Sequence, residues 1–372
     1  MRTLIISMTC GEGHNYIAKA IKNSLDKRGE DNKIIQLYGY SEKEVARQNK
    51  MFLNASKYIP HIYEKIWLRL RKRNPNKPSW VMNGVVKDCK DYILKQINEY
   101  NPDNIVCTHN NAGAVVDYLK TNNLISDKIK TYSIAFDYCL CPYWETNRNL
   151  DYVVTPHEFT HKDFIERGFK EEQLLPFGLM VDEKFTKKID KKEARDILGI
   201  DQNVFTIVLY SGGNCLSKAS TLIKQLIKVK LPVQIIAICG RNQKEYKRIE
   251  KIIKKKNLKN ITNLGFCNNI DVLYSAGDLL FTRCGSGLIE QTNKQIPFIL
   301  REKMILNERI TKKMFTQNGL GLPMKKLSDA PRIVEMLYND REKLARMSMC
   351  AKQLCKSNST ENFVDFLLKN RP

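Results

Sequence analysis

Short apolar runs alternate with amphipathic helical stretches along most of this chain, and the alternation begins twice. Residues 3–8 (TLIISM) read as a buried strand, and 15–28 as a helix with Ile17, Ala18, Ile21 and Leu25 on one face. Further strands are expected at 33–37, 104–108, 131–136 and 152–155. A second series opens with VFTIVLYSGG at 204–213, followed by helix 216–229 and strand 233–239. Helices 242–257, 270–276 and 287–295 then separate strands 261–264, 278–282 and 297–300. Strands joined through helices run parallel, so the fold class is α/β, with two doubly wound parallel-sheet units in tandem. A length of 372 residues suits two cores rather than one. Pro176 and Gly178 interrupt the pattern, which sets a first domain at 1–185, a linker at 186–200 and a second domain from 201.

The charge narrows the partners. Lys and Arg total 62 against 40 Asp and Glu, for a net +22. Residues 1–186 carry +4 of this and residues 187–372 carry +18. Such an excess calls for a polyanion: nucleic acid, an anionic membrane surface or phosphorylated small molecules. The basic residues lack the interleaved aromatic platform of a single-strand binder, which argues against nucleic acid. The 11 cysteines are odd in number and mostly lie in apolar runs, as in a reducing cytoplasm. Neither Cys139 with Cys141 nor Cys350 with Cys355 has zinc-site spacing, so no metal is expected. The apolar stretch near the amino terminus is too short for a signal peptide, and no run approaches the ~20 apolar residues of a spanning helix. Membrane contact, if made, is peripheral.

Three segments can carry chemistry. GEGH at 11–14 falls between the first strand and its helix, where ligands approach an open α/β sheet. It is no dinucleotide fingerprint, since Tyr16 stands where the third glycine belongs. His14 at a helix N-terminus has its proton affinity lowered by the dipole and can serve as a neutral general base, or simply as a cap. TRCGSGLIEQ at 282–291 is again strand, turn, helix: the amides of Gly285, Ser286 and Gly287 suit an anion, and Glu290 suits the hydroxyls of a ribose. With SGG at 211–213 it suggests a nucleotide diphosphate. The stretch 57–80 repeats apolar residues, Tyr63 and Trp67 among them, at helical spacing, with seven basic residues to one acid. That pattern fits a helix lying in a membrane interface, or an amphipathic helix covering the sheet. The basic run 244–259 reads as a solvated face that could also meet anionic lipid.

These residues carry a resemblance. GEGHNYIAKAI at 11–21 resembles the GxGHxxAAxAI opening of the monogalactosyldiacylglycerol synthase and processive diacylglycerol glucosyltransferase family, relatives of the lipid-linked cell-wall N-acetylglucosaminyltransferase. DYCLCPYW contains an Asp and a Trp, Asp137 and Trp144, that look like the family's acceptor-side pair. DYVVTPHE at 151–158 and GLMVDEKF at 178–185 are similar to the end of its amino-terminal domain. SGG at 211–213, GF at 265–266 and 282–300 look like its donor domain. The resemblance implies a GT-B fold of two facing Rossmann-like domains, with a donor domain at 201–349 and a final segment at 350–372 returning to the first.

The resemblance further implies a UDP-sugar-dependent hexosyltransferase acting with inversion on a membrane lipid hydroxyl, with 1,2-diacylglycerol as acceptor and no cofactor or metal. His14 would be the base, and Asp137 would orient it or bind the acceptor. Gly212, Gly213, Asn214, Phe266, Gly285, Ser286, Gly287, Glu290, Asn307 and Glu308 would hold the donor, Phe266 through its backbone against the uracil. Gln291 is the competing register for Glu290. Gly13, Tyr63, Trp67, Arg69, Arg71, Lys72, Arg73 and Trp144 would face acceptor and membrane, on the inner side of the cell membrane. The family's His four residues after the acceptor-side Asp is Cys141 here, the donor loop is SGGNCLS, and ILNE replaces PGQE. A polyprenyl-diphosphate-linked acceptor, an epimerase on the same fold and a degenerate UDP-sugar-binding protein are the alternatives.

Overall fold

The computed structural model describes residues 1–10, 13–58, 60–210, 212, 218–285, 287–301, 306–356 and 358–370. At 52, 53, 55–58, 60, 61, 63, 306 and 307 it describes the backbone alone. The chain divides into two compact units, Met1–Glu183 with Lys356–Pro372, and Lys184–Cys355.

In the first unit six parallel strands form one sheet: β1 (Arg2–Ser7), β2 (Asp31–Gln36), β3 (Asn104–Cys107), β4 (Lys130–Ile134), β5 (Tyr152–Val154) and β6 (Leu174–Leu175). Their order is β2-β1-β3-β4-β5-β6. Helices cover both faces, so the middle residues of β1 and β3 are apolar, and Leu4, Ile5, Ile6, Ile105 and Val106 have no exposed surface. Both neighbours of β1 follow it in sequence on opposite sides. The carboxyl ends of β1 and β3 therefore open a crevice, where a ligand finds room in sheets of this kind. The helix Ser359–Lys369 packs on the helix Gly13–Lys27, with Phe363, Val364 and Leu367 in its core.

The second unit repeats the plan with β7 (Phe205–Tyr210), β8 (Val233–Ile238), β9 (Ile261–Leu264), β10 (Leu279–Thr282), β11 (Phe298–Arg301) and β12 (Gly321–Met324), ordered β12-β11-β10-β7-β8-β9. Its switch point lies between β7 and β10. Two strands escaped the sequence pattern, β6 because it is two residues long and β12 because Pro323 disguises it.

Three expectations are corrected here. The stretch 186–200, read as a linker, contains the helix Lys191–Leu198. Its Arg195 is 4% exposed and donates to the Ala276 carbonyl at 3.1 Å and to Asp278 at 2.7 Å, which ties the segment into the second unit. The second unit also runs on to Cys355, because the helix Arg341–Leu354 buries Leu344, Met347 and Ala351 in it. The long helix over 57–80 is likewise divided. Pro75 and Pro78 cannot supply helical N–H groups, so the helix Pro60–Arg71 ends before them. Ser79 then accepts from Met82 N–H to cap a new helix, Trp80–Tyr100.

Candidate active site

The crevice of the first unit gathers residues from three turns. Gly13 opens its helix directly under Phe136: a Cβ there would lie 2.5 Å from the ring's Cζ, so only glycine fits unless the ring moves. His14 follows. Its Nδ1 lies 2.5 Å from the carbonyl oxygen of Thr108, at the end of β3, and donates to it. The remaining nitrogen, Nε2, is left as a lone pair. The ring is packed against Phe136 at 4.8 Å and His109 at 4.5 Å between centroids. This burial pushes the His14 pKa down to about 4, while the Thr108 carbonyl opposes the shift. His14 is therefore neutral at physiological pH and part of its surface stays open.

A cavity of about 60 Å³ lies beside it, walled by His14, His109, Phe136, Asp137, Cys141 and Trp144 among others. That volume holds about two water molecules, which is room for a hydroxyl group rather than for a whole sugar. Asp137 accepts from the Cys141 thiol at 3.6 Å. Burial, then the Asp137 charge, pushes that thiol far up, so Cys141 stays S–H and acts as a weak donor. Trp144 is 4% exposed and meets Phe164 edge-on at 5.4 Å, so it forms the wall of the cavity as a core residue.

The membrane-facing set is partly corrected. Trp67 is 7% exposed, turned into the protein rather than outward, with the Arg71 guanidinium 5.7 Å above its ring. Arg71 also pairs with Asp163 at 2.7 Å, and Arg73 with the buried Glu145 at 2.7 Å. Glu145 further holds Arg167 at 3.0 Å. Three of the residues assigned to lipid are therefore engaged internally. The side chain of Tyr63 lies outside the described residues. What remains outward is Ile62, Ile66 and Leu68 with Lys65, Arg69 and Lys72, and the far more exposed Trp80 at 85%.

In the second unit the turn after β7 has Gly212 at φ 80°, a conformation that suits glycine. Gly213, Asn214 and Ser286 lie outside the described residues, as does the side chain of Asn307. Gly285 and Gly287 flank the turn after β10, and a Cβ at Gly287 would sit 3.8 Å from both Glu290 Oε2 and the Tyr210 ring. The two competing residues lie in different surroundings. Gln291 is 1% exposed and its amide donates to the Tyr274 hydroxyl at 3.2 Å, so it belongs to the core. Glu290 stays at the rim of the turn, only partly buried. Arg283 pairs with Glu308 beside the same turn. Phe266 is 59% exposed under the Arg241 guanidinium, 5.2 Å from its ring centroid. The helix Gln243–Lys256 turns Glu245 inward, where it accepts from Ser220 N–H at 2.7 Å, and leaves Lys244, Lys247, Arg248, Lys251, Lys254, Lys255 and Lys256 in solvent.

Thr108, His109, Phe136, Arg283 and Trp80 are the site and surface residues that sequence reasoning missed. Thr108 and His109 end an apolar strand, and that position at a switch point was the available signal.

Two six-stranded parallel sheets, each with a switch point in its strand order, mark the GT-B fold. The structure is similar to that of Acinetobacter baumannii MurG, with a TM-score of 0.66 at 13% identity over 99% of each chain. It is also similar to the UDP-GlcNAc 2-epimerase of Neisseria meningitidis, solved bound to UDP-GlcNAc, with a TM-score of 0.64 at 14% identity over 100% of each chain. The sequence is more particular than the fold. Residues 14–181 match the family model described as Monogalactosyldiacylglycerol (MGDG) synthase. The chain is 21% identical to the processive diacylglycerol beta-glucosyltransferase of Bacillus pumilus (strain SAFR-032), over 99% of this chain and 94% of that one.

Proposed function

We propose that this protein moves a hexose from a UDP-sugar to the hydroxyl of a membrane lipid, 1,2-diacylglycerol, with inversion at the anomeric carbon. The observation that carries the reading is His14: a neutral imidazole with Nδ1 fixed on the Thr108 carbonyl and Nε2 bearing the lone pair, beside a hydroxyl-sized cavity. Nε2 takes the acceptor O–H proton as that oxygen bonds to the anomeric carbon, and the bond from that carbon to the diphosphate oxygen breaks with its electron pair leaving on UDP. Attack from the face opposite UDP yields a β-glycoside. Arg283, the amides about Gly285 and Gly287 and the helix start would bear the charge of the departing diphosphate without a divalent metal. Glu290 would take the ribose hydroxyls.

The acceptor brings the enzyme to a bilayer. Ile62, Ile66 and Trp80 offer exposed apolar surface flanked by Lys65, Arg69 and Lys72, which suits peripheral attachment to the inner, anionic face of the cell membrane. No helix among the described residues is long and apolar enough to cross a membrane. Serine at all three apolar positions should weaken binding to anionic liposomes by about tenfold or more, since each side chain loses part of its ~1.5–3 kcal/mol of burial. Flotation measures this, and unchanged binding would move the docking surface elsewhere.

The reaction is tested with UDP-glucose, UDP-galactose and UDP-N-acetylglucosamine against diacylglycerol in anionic micelles, reading UDP release and lipid products together. One sugar giving a β-glycosyl lipid supports the reading. Transfer to a polyprenyl-diphosphate acceptor alone would replace it.

A further inference from the structure

His109 lies 95 positions from His14, yet the fold sets the two rings together, 4.5 Å apart and inclined at 63°. The same turn that provides the Thr108 carbonyl for His14 provides this second imidazole. Its orientation is fixed independently. His109 Nδ1 accepts from the Asn111 backbone N–H at 3.0 Å and caps the helix Asn110–Thr121. An accepting Nδ1 leaves the proton on Nε2, which lies 3.9 Å from Cys10 Sγ. A second proton would have to enter at Nδ1, against the Asn111 N–H, and would break the cap.

We infer that His109 is a positioning residue for His14: it closes one side of the imidazole against water and stays neutral beside the imidazolium that forms when His14 accepts a proton. The inference rests on the reading of His14 as the acceptor-side base. A ring in this contact contributes in two ways. It restricts the rotation of His14 and excludes solvent from it, which disfavours the charged imidazolium. The groups that face the pair are Cys10 from the turn after β1, and Asp137, Cys139 and Cys141 from the loop after β4; Asp137 is the carboxylate lining the cavity. Burial, and then the proximity of His14, hold the proton affinity of His109 well below the ordinary range. The pair therefore has one working proton site rather than two.

Capping and shielding are separable by substitution. Asparagine at 109 keeps a cap and removes the ring; phenylalanine keeps a ring and removes the cap. The inference expects the acid limb of kcat/KM to rise by about one pH unit or more in His109→Asn, because water then reaches the imidazolium, with kcat about tenfold lower and the donor KM unchanged. His109→Phe should keep the wild-type limb at a lowered Tm. Should His109→Asn fail to fold, His109→Ser takes its place. A wild-type limb and kcat in the ring-less variant would overturn the inference and leave His109 a cap alone. The titration of the His14 ring is also read by NMR without any substrate, which is practical with five histidines in the chain. An upward shift of that titration in His109→Asn supports the shielding even if no lipid is glycosylated. No shift would sink it even if the transfer reaction is found.

Discussion

Alanine at position 14 is expected to lower kcat by a factor on the order of 10² to 10⁴, with affinity for UDP nearly unchanged. The cavity beside His14 is lined by one other imidazole, and His109 already spends its Nδ1 on the Asn111 N–H. Asp137 lines the cavity too, engaged by the Cys141 thiol, and a carboxylate is a weaker base than a neutral imidazole. The residues proposed to hold the donor lie in the second unit, so binding isotherms for UDP should overlay. The pH profile carries the same information. As the proposed base His14 would work unprotonated, and burial moves its pKa from 6.5 to about 4. The active form is therefore complete at pH 6, where an ordinary histidine would be largely protonated. The acid limb of kcat/KM should fall through about pH 4 to 5 rather than 6.5, to the extent that the fold survives there. Normal turnover in the alanine variant would dismiss His14 as the base.

Glu145→Ala is expected to have the largest effect on stability, about 3 kcal/mol or more in urea unfolding. The Glu145 side chain is 2% exposed and carries two ion pairs, to Arg73 at 2.7 Å and Arg167 at 3.0 Å, which are themselves only 19% and 11% exposed. Removing the carboxylate leaves two sparsely hydrated cations facing one another, and that unpaired charge dominates over the lost packing of a small side chain. Arg73 follows the helix Pro60–Arg71, so the exposed surface proposed for membrane docking should loosen with it. Liposome binding should then fall together with Tm. A loss below ~1 kcal/mol would mean that water screens the pairs and that they contribute little to holding the helix.

The legibility of the chain follows the range of the forces involved. The helix at 13–27 and strands such as β1 and β7 were readable because their burial imposes a period on local residues. The stretch 186–200 was misread because nothing local marks Arg195 as a buried residue; its partners Ala276 and Asp278 lie about eighty positions away. Trp67 was misread for a related reason. Aromatic residues among arginines look the same whether the rings meet lipid or the protein's own core, and the difference rests on Asp163 and Glu145, remote in sequence. Glu290 and Gln291 could not be separated by counting from Pro297. The fold sets Gln291 against the Tyr274 hydroxyl and leaves Glu290 only partly buried, a difference of surroundings that adjacent positions in a sequence do not reveal.

The order of apolar runs and glycine turns was sufficient for the α/β class, the two units and the place of His14 at a strand end, because backbone geometry and hydrophobic period act over a few residues. The chemical state of that histidine belongs to the folded molecule. Its tautomer is set by the Thr108 carbonyl, its low proton affinity by burial against Phe136 and His109, and the close approach of Phe136 by the missing side chain of Gly13. Those groups come from three separate turns, and only the pairing of β1 with β3 and of β3 with β4 brings them within a few ångströms of one ring.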